Sequence, residues 1–194
     1  MDDEIFWNMI DSCRRQTAQD PDERLIWLRG QLALRPELDA VRFQISLDRV
    51  LVPTFTWDLW AAADRILGWC SDDSFFYFRL WLVGLGRDMF ERVSREPDAL
   101  AEAPEVQRLA GRSPRSWTDH EWPEWEELGY VARQVFEGVT GKSYDDFHDA
   151  IDALNSEDPE PSDPVGERWD VNRNEETARR LPRLSALFPV GEAK

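Results

Sequence analysis

Cysteine is nearly missing from this chain. There are two, Cys13 and Cys70, and neither belongs to a Cys-x-x-Cys pair, which excludes a zinc knuckle and a thioredoxin-like redox site. Both lie in apolar helical contexts, where a reduced, buried thiol is expected. Histidine is equally scarce at two residues. The sequence has no His-Glu-x-x-His run, no glycine-rich phosphate loop and no serine nucleophile elbow, so it announces no reaction by motif. No cofactor and no dedicated metal set is indicated. Basic charge is also in short supply: 23 Lys and Arg against 39 Asp and Glu leave a net charge of -16. That field repels nucleic-acid phosphate and anionic membrane surfaces, and no local basic patch offsets it. The acids alternate with arginines instead of forming clean rows, which argues against a mimic of nucleic acid. No apolar run reaches the roughly 20 residues of a membrane span. The start, Met-Asp-Asp-Glu, is the reverse of a basic signal peptide. A soluble, cytoplasmic protein with no nucleic-acid or membrane partner is the expectation.

What is present is helix-forming and aromatic. The 194 residues include ten tryptophans, each needing a large buried surface and a partner for its ring N–H, or a place at an interface. Apolar residues recur at three- and four-residue spacing in Ile5, Phe6, Met9, Ile10 and Cys13. After the start signal Asp20-Pro21-Asp22-Glu23 they recur in Leu25, Ile26, Leu28 and Leu32. A third helix follows Pro36, and Thr56 can cap a fourth that ends at Gly68. A long helix is predicted over about 123–139 and a short one over 145–154. No strand has convincing alternation and no repeat period is evident. The fold class is therefore all-α: a single, non-repeating helical bundle over residues 1–154, with an acidic, proline-rich linker or loop over 155–172. Residues 173–194 form a C-terminal arm, expected to pack back on the domain.

The segment Gly68 to Gly86 locates the core. It opens with turn and cap residues, runs almost wholly apolar, and closes on glycine. Ser71, Asp72 and Asp73 suit a helix start. Arg79 is the odd member, because a cation inside an apolar helix needs a partner. Asp72 lies seven residues before it, two turns away on the same face. Arg79 can close an internal ion pair with Asp72 and hold helices in register, or meet an anionic ligand in bidentate fashion. Tryptophans 57, 60, 69, 81, 122 and 125 can wall a pocket for a planar ligand or can simply be core. The candidate binding residues are Asp72, Asp73, Arg79, Trp81, Trp57, Trp60, Trp125, Glu126 and Tyr130, placed in a cleft between helices 56–67, 71–85 and 123–139. Two further groups have bland alternatives. Thr118-Asp119-His120-Glu121 fits a capping box, although His120 beside Glu121 can in principle do acid–base work. Asp145, His148, Asp149 and Asp152 share a helix face at metal-compatible spacing, but also read as a solvated acidic face.

The Gly68-Trp69-Cys70-Ser71-Asp72-Asp73 block, followed by Phe78-Arg79-Leu80-Trp81-Leu82, resembles the bacterial family catalogued as domain of unknown function 4240. Glu4-Ile5-Phe6-Trp7, Trp60-x-x-Ala63, Pro97-Asp98-Ala99-Leu100-Ala101 and Tyr130-Val131-Ala132 extend the resemblance over about residues 1–140. It implies a helical bacterial domain and carries no assigned activity. The functional expectation is a non-catalytic interaction or regulatory module, with an unknown protein or small molecule as partner. The alternative is a small-ligand binder or enzyme using Asp72, Asp73, Arg79 and Trp81, with Glu126 or Glu127 as an added acid. The first predicts Asp72 and Arg79 buried and paired with no concavity. The second predicts both lining a solvent-reaching pocket. The oligomeric state is not legible.

Overall fold

Five of the eleven α-helices among the described residues start locally, on an oxygen-bearing side chain that accepts from the first free backbone N–H groups. In the computed structural model, which describes residues 1–17, 20–155 and 161–189, Asp2 accepts from Ile5 N to open α1 (Asp3–Gln16). Asp20 opens α2 (Pro21–Ala33). After α3 (Leu38–Leu51), Thr56 opens α4 (Trp57–Leu67) by accepting from Leu59 N. Ser71 opens α5 (Asp72–Gly84) by accepting from Ser74 N. The remaining helices are α6 (Arg87–Arg95), α7 (Pro104–Gln107), α8 (Leu128–Thr140), α9 (Tyr144–Leu154), α10 (Asn174–Arg180) and α11 (Pro182–Leu187). Short 3-10 turns, chiefly Val52–Thr54 and Pro97–Glu102, join them. The fold is all-α: no strand occurs among the described residues, and one isolated bridge pairs Thr56 with Val165. Gly68, at φ 82°, ends α4 in the left-handed conformation that glycine adopts without steric cost.

Helix α5 runs through the core, burying Phe75, Phe78, Leu80, Leu82 and Val83 together with Arg79. Helices α2, α3 and α8 pack on one another, and α9 joins α3 and α8. Leu25, Leu28 and Leu32 of α2 are buried, but Ile26 is 67% exposed. It lies one residue, about 100°, past Leu25 and falls off the apolar stripe. Both cysteines are buried and free.

The late helix starts at Leu128, not near Pro123. The backbone N–H of Trp125 donates to the carbonyl oxygen of Tyr77 at 3.1 Å. The chain is thereby drawn extended against α5 before it can coil. The Trp125 ring then covers Gly84, where an added Cβ would lie 3.1 Å away.

The C-terminal segment is held by a buried carboxylate. Asp98, 5% exposed, accepts from the backbone N–H groups of Arg183 and Leu184 at 3.0 and 2.9 Å, and from Arg183 Nε at 3.0 Å. It thus caps α11 from a distant part of the chain. Leu181 and Leu184 are buried beside it.

Candidate functional site

The Thr56 cap places Trp57 and Trp60 three residues apart on one face of α4, so their rings stack at 5.5 Å. Trp60 stacks in turn on Phe75 of α5 at 4.6 Å, and Phe75 lies 6.2 Å from Phe55. These four rings form a continuous row. Trp60 is anchored by its indole N–H, which donates to the Cys70 carbonyl at 3.1 Å. Together with Trp69, 72% exposed, they wall a cleft of about 750 Å³.

The second wall comes from residues 162–171, within the expected linker. Val165 N donates to the Phe55 carbonyl at 2.8 Å, and Trp57 N donates to the Val165 carbonyl at 3.1 Å. The Trp169 indole donates to Asp58 Oδ1 at 2.8 Å. Arg65 Nη2 donates to the Val171 carbonyl at 2.7 Å. The Arg168 guanidinium carbon sits 4.8 Å from the Trp57 ring centroid, a cation–π contact.

Arg79 lines this cleft while being only 2% exposed, so it forms part of the floor. Its Nε donates to Thr54 Oγ1 at 3.0 Å and its Nη2 to the Leu51 carbonyl at 2.8 Å. The guanidinium carbon lies 4.9 Å from the Phe55 centroid and 5.7 Å from that of Phe75. Leu51 is the last residue of α3. Arg79 therefore places a cation where the α3 dipole favours one and supplies a donor to a carbonyl without a helical partner. This corrects the expected pairing with Asp72. Asp72 is exposed at the cleft mouth, and among the described residues no hydrogen bond or ion pair joins it to Arg79. Of the two sequence-based expectations, the geometry departs from the first, since Asp72 is exposed, is not joined to Arg79 and borders a concavity, and it matches the second in that both residues line a cleft.

Two other carboxylates bear on the site. Asp64 lines the cleft and accepts from Cys70 N at 3.2 Å. Burial raises its carboxyl above the usual carboxylate range. Asp73, next to Asp72, is exposed and does not line the cleft. The Cys70 thiol, also in the lining, is pushed up to about 12 by burial and by the charges of Asp64, Glu124 and Asp72, which leaves it a poor nucleophile.

The other candidates lie elsewhere. Trp81 and Trp125 line a separate pocket of about 200 Å³ with Arg24, Arg108 and Trp122. Glu126 accepts from Tyr77 Oη at 3.0 Å and Tyr130 Oη at 2.8 Å. This hydrogen bonding to the carboxylate raises both phenols, Tyr77 to about 12. Glu121 is taken up by Arg112 and Thr118, which pull its carboxyl down to about 2 and unfit it as a general acid. Asp145, His148, Asp149 and Asp152 are all exposed, and the His148 ring packs on Tyr144 at 4.2 Å. The one metal-compatible convergence among the described residues is instead Asp20, Asp22 and His120, all exposed.

Phe55, Asp64, Phe75, Arg168 and Trp169 were not among the sequence-based candidates. One available signal was Trp169 itself, a large aromatic in an otherwise Pro-, Asp-, Glu- and Ser-rich stretch.

A family model described as a protein of unknown function, DUF4240, matches residues 1–138. The chain belongs to the DUF4240 family. No curated protein and no solved structure matches it. The DUF4240 match contains the ring row, Asp72 and Arg79, and it stops within α8. The 162–171 wall therefore lies outside the region that defines DUF4240.

Proposed function

We propose that this protein is a non-catalytic interaction module, acting in the cytoplasm, whose recognition site is the aromatic cleft. The carrying observation is the stacked row Trp57–Trp60–Phe75–Phe55 opening to solvent beside Trp69 and Asp72. Flat rings at a surface recognise apolar, planar or cationic groups with little loss of side-chain freedom. The polar groups around them are already engaged in holding the fold. Arg79 ties α5 to the end of α3, Asp64 holds the turn at Cys70, and the Cys70 thiol is protonated. With the chain at net charge -16, a basic or uncharged partner suits the site better than an acidic one. No helix among the described residues is long and apolar enough to cross a membrane.

The test is a titration read at the indole N–H resonances of the protein, using peptides, amines and aromatic compounds. A binder is expected to shift Trp60 and Trp69 and to lose about tenfold in affinity with Trp69→Ala, as for an exposed aromatic anchor. Conversion of a bound compound to product, abolished by Asp64→Asn, overturns the non-catalytic reading. A binder indifferent to Trp69→Ala places recognition elsewhere. A second reading, a small organic ligand held in the cleft, is favoured by the cleft volume of about 750 Å³, within the range of small-molecule sites.

A further inference from the structure

We propose that the groove along Phe55–Trp57 and α4 is a site for an extended peptide carrying an arginine–aromatic pair, and that residues 162–171 occupy it in cis. This deepens the reading of the cleft as a recognition site and rests on it. The contact uses strand-addition chemistry on a helical domain. Trp57 is the first residue of α4, so its N–H has no partner within the helix. The Val165 carbonyl accepts from it, and Val165 N returns a bond to the Phe55 carbonyl. Side chains then set the choice of sequence. Arg168 lies over the Trp57 ring, and the Trp169 indole donates to Asp58.

Two further observations point beyond a mere surface loop. The receiving groove is built wholly from residues inside the family match, whereas the occupant lies wholly outside it. The groove is thus a feature of the domain, and the segment is what this chain lays upon it. The contact is also made against net charge: the occupant carries Asp163, Glu167 and Asp170 beside Arg168, and Asp64 and Asp72 line the receiving cleft, so the segment is held by the backbone pair, the Arg168–Trp57 contact and the Trp169–Asp58 bond. A partner in trans that presents the same backbone edge with Arg and an aromatic ring competes with segment 162–171 for the groove.

The experiment uses the full chain and a fluorescein-labelled peptide of residues 161–173, followed by anisotropy. Val165→Pro removes the N–H that bonds Phe55. Gly166→Val strains the positive φ of 97° at a position where a Cβ meets nothing, so it acts on the segment alone. Both variants are expected to speed exchange of the Trp57 amide and to bind the peptide at least about tenfold more tightly than the wild type, because an occluded state is removed. A peptide with alanine at both Arg168 and Trp169 is expected to bind neither variant.

The proposal fails if the released variants, native by circular dichroism, bind the peptide no better than the wild type. It fails equally if the double-alanine peptide binds as well, or if the Trp57 amide stays protected in both variants. If the peptide fails while Trp60 and Trp69 still respond to small compounds, this inference alone is lost. Silence from both removes the recognition site as well.

Discussion

Replacing Arg79 with alanine tests whether that residue holds the fold together. Its Nε–H to Thr54 and Nη2–H to Leu51 are charge-assisted bonds made in a buried setting. Each is worth about 1.5–3 kcal/mol. The contacts with the Phe55 and Phe75 rings add about 0.5–2 kcal/mol. These terms share one side chain and are not additive, so the expected loss for Arg79→Ala is about 3–5 kcal/mol. For a chain of this size the melting midpoint drops by about 6–20 °C. Thr54→Val keeps the shape and removes one acceptor, for an expected loss of about 1–2 kcal/mol. Arg79→Lys keeps the charge near the end of α3 but not the two-pronged geometry, and falls between the two. Thermal melts followed by far-ultraviolet circular dichroism measure all three, and the double variant with Thr54→Val should cost less than the sum of the singles. An Arg79→Ala protein melting within about 2 °C of wild type would refute the structural assignment, because such a shift corresponds to less than about 1 kcal/mol.

Burial holds the Cys13 thiol at about 11 and the Cys70 thiol at about 12. The folded state thus favours the protonated form. Its contribution is complete below the unfolded thiol value near 8.5 and is lost as pH rises toward 11–12. Ellman's reagent at pH 8 is expected to leave both thiols untouched in the native protein and to titrate two in urea. Reaction at the denatured rate in native buffer would contradict that burial. Asp98→Ala strips the acceptor from two backbone N–H groups at the start of α11, at a cost of about 2–4 kcal/mol. Trypsin is expected to cut sooner at Arg179, Arg180 and Arg183, and unchanged cleavage would rule out this tether. Gly86→Ala puts a Cβ 2.8 Å from Asp11 Oδ1 at a φ of 89°, for a loss of about 1–3 kcal/mol. Gly30→Ala, in open space within α2, is expected to gain about 0.5–1 kcal/mol by the same melts.

Legibility in this chain follows range. The caps at Asp20, Thr56 and Ser71 act on N–H groups two or three residues away, so their spacing in the sequence is their geometry. The apolar run from Phe75 to Val83 likewise marked the core helix, although Phe76 is 43% exposed and Tyr77 and Trp81 are half-buried. The start of α8 was misplaced because the deciding bond, Trp125 to Tyr77, joins residues that no local pattern connects. The cleft gathers only some of the residues the sequence singled out, for the same reason. Trp57 and Trp60 meet because they are one turn apart. Trp81 shares α5 with the cleft but lines another pocket, while Trp125, Glu126 and Tyr130 belong to the stretch leading into α8 and its first turn, which does not line the cleft.

By itself the sequence determined a helical chain, the helix that forms its core, and the fact that Arg79 must be satisfied. It did not determine by what. Asp72 lies about 10 Å along the helix from Arg79, at the rise of seven residues, and remains in solvent, where a carboxylate is already stable. The end of α3 reaches Arg79 only through tertiary packing, since the Leu51 carbonyl it bonds lies 28 residues earlier in the chain. The second wall of the cleft, set down by residues more than a hundred positions from Trp57, is decided by packing in the same way.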